Sequence, residues 1–232
     1  ISHFTDVDYI PYDENNIYIR KVTKFIKSLF PDDEIDVYEY ILYYLAACLD
    51  GKPKQSIILI IIGVGSNGKS LFMELINSVL GKFYGTKMPL TFLTDKRTKS
   101  ASADPSFMNL EFARLAHYSE ANPNDELNTA KLKEITGQET VSGRNLFEKQ
   151  KTFKPACMHI VTTNYHFGIK TTDHGTWRRI RTYRFKNTFV ANPDPDNKYE
   201  KKIDSSVELY SNDDKLKQGL LSLLVEYYRK LH

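Results

Sequence analysis

The sequence predicts an α/β fold, with a central parallel sheet flanked by helices, a small N-terminal helical subdomain and a C-terminal helix. Three observations predict it. Six consecutive aliphatic residues, Ile57 to Ile62, read as a strand covered on both faces. They run into Gly63-Val64-Gly65-Ser66-Asn67-Gly68-Lys69-Ser70, after which Leu71, Leu75, Ile76, Val79 and Leu80 recur at helical spacing up to Gly81. Downstream, strand-like and helix-like runs alternate, which is the pattern of a parallel sheet with crossover helices.

The elements follow in order. Residues 1 to 18 show no clean period and read as an extended lead-in. Val22, Phe25, Ile26 and Leu29 trace one helical face up to Phe30-Pro31, and Ile35, Tyr38, Ile41, Leu42, Leu45 and Leu49 trace a second, closed by Gly51. These two helices either pack on the core or form a collar between subunits. Lys82 to Asn109 is polar and turn-rich. Ala113 to Glu120 reads as a strand ending in a carboxylate, Asn122-Pro123 breaks it, and Leu127 to Ile135 is a helix ending at Gly137. Val141 to Lys154 reads as a hairpin with a polar tip, and Pro155 stops it. Cys157 to Asn164 and Ile180 to Phe185 are two more strands, Asn187 to Lys198 is a Pro/Asn/Asp-rich linker, and Leu216 to Leu231 is an amphipathic helix. The expected division is a helical subdomain over 1–52, an α/β core over 53–186, and a linker and helix over 187–232.

Composition is that of an ordinary globular chain: 232 residues, 41% hydrophobic, 26% charged. The longest apolar run, six residues, is far too short to cross a bilayer, so no membrane partner is expected. Ile1 is not a start methionine, and a piece of a longer protein is expected. Cys48 and Cys157 lack partner spacing and sit in apolar surroundings, which reads as buried thiols in a reducing, intracellular setting. A net charge of +3 does not describe a general polyanion-coating protein. The positive charge is instead concentrated: Arg144, Lys149, Lys151 and Lys154 face one acid, Glu148, and six basic residues from Lys170 to Lys186 face one acid, Asp173.

Gly63 to Ser70 matches G-x-x-x-x-G-K-[ST] between a strand and a helix, the context of a phosphate-binding loop. Glycines let backbone N–H groups wrap phosphates without side-chain obstruction, and the helix N-terminus favours an anion. Lys69 is the expected partner of the β- and γ-phosphates and the Ser70 hydroxyl of Mg2+, so ATP and Mg2+ are the expected substrate and cofactor. The candidate cradle is Gly63, Val64, Gly65, Ser66, Asn67, Gly68, Lys69, Ser70 and Leu71.

Hydrolysis needs a carboxylate near metal and water at a neighbouring strand end. Glu120 is the candidate. Because Ser119 stands where a second acid is common, either Glu120 also shares metal duty or Ser119 does so through a water; the bland alternative is a solvated acid at a strand end. Asn164, ending the next strand, is placed to reach the γ-phosphate or the water, or is an ordinary turn residue. Arg178 and Arg179 follow Trp177; one of them suits a transition-state contact supplied to a neighbouring subunit, the other an ion pair within its own. The alternative is a basic surface patch.

The order of loop, strand-end acid, strand-end Asn and arginine pair resembles the superfamily 3 helicases of the AAA+ group, most closely the helicase part of poxvirus-type and phage-type primase–helicases. The carrying residues are GVGSNGKS at Gly63 to Ser70, RLAHYSEAN at Arg114 to Asn122, KLKEITGQETVSGRNLFEKQKTFKP at Lys131 to Pro155, HIVTTN at His159 to Asn164 and DHGTWRRI at Asp173 to Ile180. The resemblance implies an AAA+ P-loop core, with Lys69 and Ser70 on Walker A, Glu120 on Walker B, Asn164 on the sensor position and Arg178-Arg179 on the arginine finger. It also implies a homo-oligomeric, hexameric ring, a primase domain outside this chain, and work in host cytoplasm or at a viral replication site. Val141 to Lys154 falls on the family's pre-sensor hairpin, which follows single-stranded DNA through the ring. The residues agree: Arg144, Lys149 and Lys151 suit phosphate contacts, and Phe147 either stacks on a base or, like Phe153, packs the hairpin.

The expected function is therefore an ATP-dependent DNA helicase module of a replicative primase–helicase. A non-translocating loader or packaging ATPase shares the same residues. A small-molecule P-loop kinase explains the loop but not the hairpin.

Overall fold

The computed structural model describes residues 4–51, 56–95, 105–119, 122, 124–137, 139–145, 147–166 and 168–232. In chain order the helices are α1 (Ile17–Ser28), α2 (Ile35–Ala46), α3 (Lys69–Tyr84), α4 (Thr91–Thr94), α5 (Thr129–Thr136), α6 (His174–Trp177) and α7 (Asp214–Lys230). The strands are β1 (Ile58–Ile62), β2 (Gly85–Pro89), β3 (Leu115–Ser119), β4 (Val141–Gly143), β5 (Lys151–Phe153), β6 (Met158–Thr163), β7 (Ile180–Arg184), β8 (Thr188–Val190) and β9 (Glu200–Lys202). They gather into two compact units that do not follow chain order: Gly51–Ile62 with Thr86–Tyr183, and Ile1–Asp50 with Gly63–Gly85 and Arg184–His232.

The first unit is built on a five-stranded sheet in the order β2-β3-β6-β1-β7. β6 pairs in parallel with β1, from Ile58↔His159 to Ile62↔Thr163, and with β3, from Leu115↔Met158 to Tyr118↔Val161. All five β1 residues are buried, as its unbroken aliphatic run predicts for a strand covered on both faces. One face carries Ile58, Ile60 and Ile62 with Val161, Ala116 and Tyr118, onto which Leu132 and Ile135 of α5, Phe92 and Phe107 pack. A polar pair lies inside this sheet: Tyr118 Oη and His159 Nδ1 are 3.0 Å apart. Burial pulls His159 down to about 4 and pushes the Cys157 thiol up to about 12, so the imidazole stays neutral and the thiol inert. Cys48 is likewise buried, its thiol donating to the Tyr44 carbonyl at 3.9 Å.

Thr86–Pro89 was hidden by the polar reading of 82–109. β2 stands first in the strand order and buries only Met88 among its five residues, so it carries no hydrophobic alternation, and an edge strand tolerates its Pro89.

The second unit is mainly helical. Asn16 Oδ1 caps α1 by accepting from the amides of Tyr18 and Ile19, and α1 buries Ile19, Val22, Phe25 and Ile26. α7 packs against α1, α2 and α3. Gly219 permits the closest approach: a Cβ there would lie 3.0 Å from the Tyr18 carbonyl carbon. Tyr43 and Tyr227 meet edge to face at 5.0 Å, and Tyr227 donates to Glu39. α3 continues to Tyr84 through a break at Gly81, whose φ of 67° replaces the simple helix end expected there.

The expected linker over 187–198 is corrected. Asn187 is fully buried and donates to the carbonyls of Ser28 (2.9 Å) and Phe30 (2.8 Å), closing the C-terminal end of α1. β8 follows at once and pairs in parallel with β9. Lys186 binds Glu34, Lys198 binds Asp33 at 3.1 Å and Lys201 binds Asp32 at 3.3 Å, so three lysines meet three consecutive acids at the α1–α2 turn. Turn-forming residues surround β8, and its anchor is a polar side chain, so neither period nor hydropathy marks it. Among the described residues, no helix is long and apolar enough to cross a membrane.

Candidate functional site

The chain leaves β1 at Ile62 and turns through Gly63 to Gly68 into α3. Three successive bends to positive φ shape this turn: Gly65 at 100°, Ser66 at 46° and Gly68 at 76°. Such left-handed residues turn consecutive backbone N–H groups toward a common concavity. Gly68 stands at the N-cap of α3 and brings no side-chain acceptor to the first-turn amides. A helix of sixteen residues therefore opens with its donors uncapped by its own sequence.

Lys69 is only 7% exposed. Its ammonium donates to the Gly63 carbonyl at 2.9 Å and to Asn67 Oδ1 at 2.8 Å, folding back into the loop. Burial lowers its pKa to about 8, since a desolvated ammonium gains less from being charged. Asn67 is 3% exposed, and its Nδ2 has no acceptor among the described residues. A Cβ on Gly63 would lie 1.8 Å from that nitrogen and 2.9 Å from Lys69 Nζ, so a larger residue here displaces the Asn67 and Lys69 side chains. A Cβ on Gly65, by contrast, would meet nothing within 4 Å, so open space adjoins the loop there. Ser70 and Val64 are exposed, and Leu71 is half-buried at the first turn of α3. A concave backbone, uncapped amides, a buried cation and a donor lacking an acceptor all fit an anion of the polyphosphate class.

Of the other sequence-predicted residues, Asn164 is exposed and directly follows Thr163, the last residue of β6. The register Ile62↔Thr163 ends β1 and β6 at the same sheet edge. β3 runs parallel to β6 and ends at Ser119; Glu120 lies outside the described residues.

Asp173 fixes the short helix α6. Its carboxylate accepts from the Gly175 amide and from the Thr176 amide and hydroxyl, and pairs with Lys133 at 2.6 Å. Lys133 and Thr176 hold that carboxyl well below the usual range. Behind this cap the two arginines differ. Arg179 is half-buried and its Nη1 donates to the Gly175 carbonyl at 2.6 Å, a backbone group rather than the expected acid. Arg178 is exposed.

The hairpin forms as the sequence predicts, with β4 and β5 antiparallel from Val141↔Phe153 to Gly143↔Lys151. Arg144, Lys149 and Lys151 are exposed, Lys151 lying 3.7 Å from Glu111, a partner that spacing did not indicate. The two phenylalanines separate. Phe153 packs against the sheet core, whereas Phe147 is 99% exposed at the tip with φ 64°. A large apolar side chain on a left-handed residue gains nothing from the fold it stands on.

Sequence reasoning missed Asn67 as the holder of Lys69, and Asn187 and Phe189, whose amide donates to the Ser66 carbonyl at 2.7 Å. A polar residue beside the Lys of the motif was the only available signal.

Comparison with known proteins places these features among relatives. A family of unknown function, DUF5906, matches residues 61–179. A protein of African swine fever virus named "Putative primase" is 34% identical over 232 residues, the whole of this chain and 24% of its own length. One of Acanthamoeba polyphaga mimivirus named "Putative helicase" is 33% identical over 238 residues, 99% of this chain and 24% of its own length. This chain thus spans about a quarter of the curated relatives it matches. Among solved structures, the apo NrS-1 C-terminal region superposes with a TM-score of 0.66 at 17% identity, covering 93% of this chain and 47% of that one, a likeness in fold.

Proposed function

The chain belongs to the family of unknown function DUF5906, and we propose that its part there is to hydrolyse ATP and to couple hydrolysis to movement along single-stranded DNA. The observation that carries this reading is the loop: left-handed Gly65, Ser66 and Gly68, an uncapped α3, and Lys69 buried inside. Viral relatives named for primase and helicase roles support the setting. A primase domain elsewhere in the full protein is part of the proposal, as is the assignment to the superfamily 3 AAA+ helicases.

In this reading the loop amides and Lys69 hold the phosphates, and Lys69 exchanges Gly63 O and Asn67 Oδ1 for phosphate oxygens. Ser70 and Glu120 hold Mg2+, which neutralises phosphate charge when bound. Glu120 orients the attacking water and Asn164 contacts the γ-phosphate or that water. Arg178 is the guanidinium supplied to a neighbouring subunit of a hexameric ring, because it is exposed, whereas Arg179 is half-buried with Nη1 on the Gly175 carbonyl. Arg144, Lys149 and Lys151 follow the DNA backbone irrespective of sequence, and Phe147 stacks on a base.

Phosphate release from ATP by the wild-type protein and by Lys69→Ala tests the reading. Turnover that Lys69→Ala abolishes supports it; equal turnover in both proteins would place any hydrolysis elsewhere.

A further inference from the structure

A cavity of about 1150 Å3 opens beside the loop, within the unit formed by Ile1–Asp50, Gly63–Gly85 and Arg184–His232. Ser66, Gly68 and Leu71 form one wall of it. Residues of α1, the β8–β9 pair and the 3-10 helix Ser205–Asn212 line the rest of it.

Three features describe what this cavity suits. Phe189 lines it half-buried, with its amide bonded to Ser66 O and its ring beside Gly68, where a Cβ would lie 3.5 Å from Cε2. An aromatic face is thereby held at a fixed place next to the loop. Ile203 and Leu209 line the same cavity while 53% and 67% exposed, so they are apolar side chains the fold itself does not bury. Asp204, locked by the Ser206 amide and hydroxyl, adds an acceptor close to Lys24. A flat, apolar-faced ring joined to a sugar with hydroxyl donors matches that set. A chain of phosphates alone does not.

We propose that this cavity takes the nucleoside of the triphosphate held by the loop, with Phe189 as the surface on which the base lies and Leu209 and Ile203 closing its outer edge. The inference rests on the nucleotide reading of Gly63 to Ser70. It goes further in assigning base recognition to the C-terminal segment 188–210, which lies wholly outside the part of the chain that the family match covers. Asn187 is then a positioning residue, since its anchorage to Ser28 and Phe30 sets where β8 begins.

Calorimetric titration with ATP and with inorganic tripolyphosphate separates the two readings. The wild-type protein is expected to bind ATP more tightly than tripolyphosphate. Phe189→Ala and Leu209→Ser should each weaken ATP by about tenfold and leave tripolyphosphate unchanged. Leu209 is exposed, so its replacement keeps the test valid even if Phe189→Ala disturbs the loop. Unchanged ATP affinity in Leu209→Ser and Phe189→Ala, or equal weakening of both ligands, overturns the inference while leaving the loop reading intact. A wild-type protein that binds tripolyphosphate as tightly as ATP overturns it too. Failure of the wild-type protein to bind either ligand overturns the loop reading, and this inference with it.

Discussion

Lys69 Nζ donates to Asn67 Oδ1 at 2.8 Å, two residues away in the same turn and almost wholly removed from solvent. The cation most suited to meet a phosphate is thus folded back inside its own loop, where Asn67 Oδ1 and the Gly63 carbonyl accept from it. A charged phosphate oxygen is a stronger acceptor than either. Replacing Lys69 by Ala should therefore reduce ATP turnover by at least about a hundredfold with little change in thermal midpoint. Phosphate release and a circular-dichroism melt on the same preparation check both halves.

The depressed Lys69 pKa gives the loop a pH signature. At about 8, the ammonium is charged below pH 8 and loses its proton above it. Phosphate favours the charged form, so binding must take up a proton on the alkaline side. ATP affinity should be flat below pH 7 and fall above pH 8 by up to about tenfold per unit. Titrations at pH 8.5 in buffers of different ionisation enthalpy should show the proton uptake directly; affinity independent of pH from 7 to 9 would contradict it.

Two glycines of the loop should fail for different reasons. Gly63→Ala sets a Cβ 1.8 Å from Asn67 Nδ2, so Asn67 and Lys69 must move and ATP binding should fall by more than about tenfold. Gly65→Ala meets no neighbour, but its φ of 100° disfavours any side chain, and the expected cost is about 1–2 kcal/mol of stability. Melting curves and ATP titrations of both variants distinguish steric displacement from backbone strain.

Asn187→Ala removes a buried side chain that donates to both Ser28 O and Phe30 O at the C-terminal end of α1. The expected loss is about 2 kcal/mol in urea unfolding. A loss below about half of that would mean that α1 closes without it.

On the hairpin, Lys149→Ala with Lys151→Ala should lower the salt dependence of single-stranded DNA binding by about 1.4 in the log–log slope, two phosphates' worth. Phe147→Ala should weaken DNA binding by about 1–3 kcal/mol without altering the melting point, because the ring is 99% exposed. Fluorescence anisotropy across a salt series reads both. Unaltered slope and affinity would assign the hairpin another task.

How much of this was legible follows from what sequence period can carry. β1, α3, β3, β6 and α7 announce themselves because each buries a regular set of its own side chains. β2 and β8 do not: one buries only Met88, and the other is held by Asn187 and a backbone bond to Ser66. The loop's chemistry was readable because glycine positions and Lys69 form a local motif. Asn67's grip on Lys69 depends on how the two side chains turn within the loop, and the cavity around Phe189 on how distant segments meet; residue spacing encodes neither. Phe147 shows the same limit in reverse, since a hairpin phenylalanine reads alike whether it packs, as Phe153 does, or stands in solvent.

The central claim couples the loop to the hairpin, and one measurement tests it most directly: phosphate release from Mg-ATP by the wild-type protein, with and without saturating single-stranded DNA. The account predicts turnover that DNA raises severalfold, and that Lys149→Ala with Lys151→Ala returns toward the DNA-free rate. Turnover indifferent to DNA, or none in either condition, would contradict it.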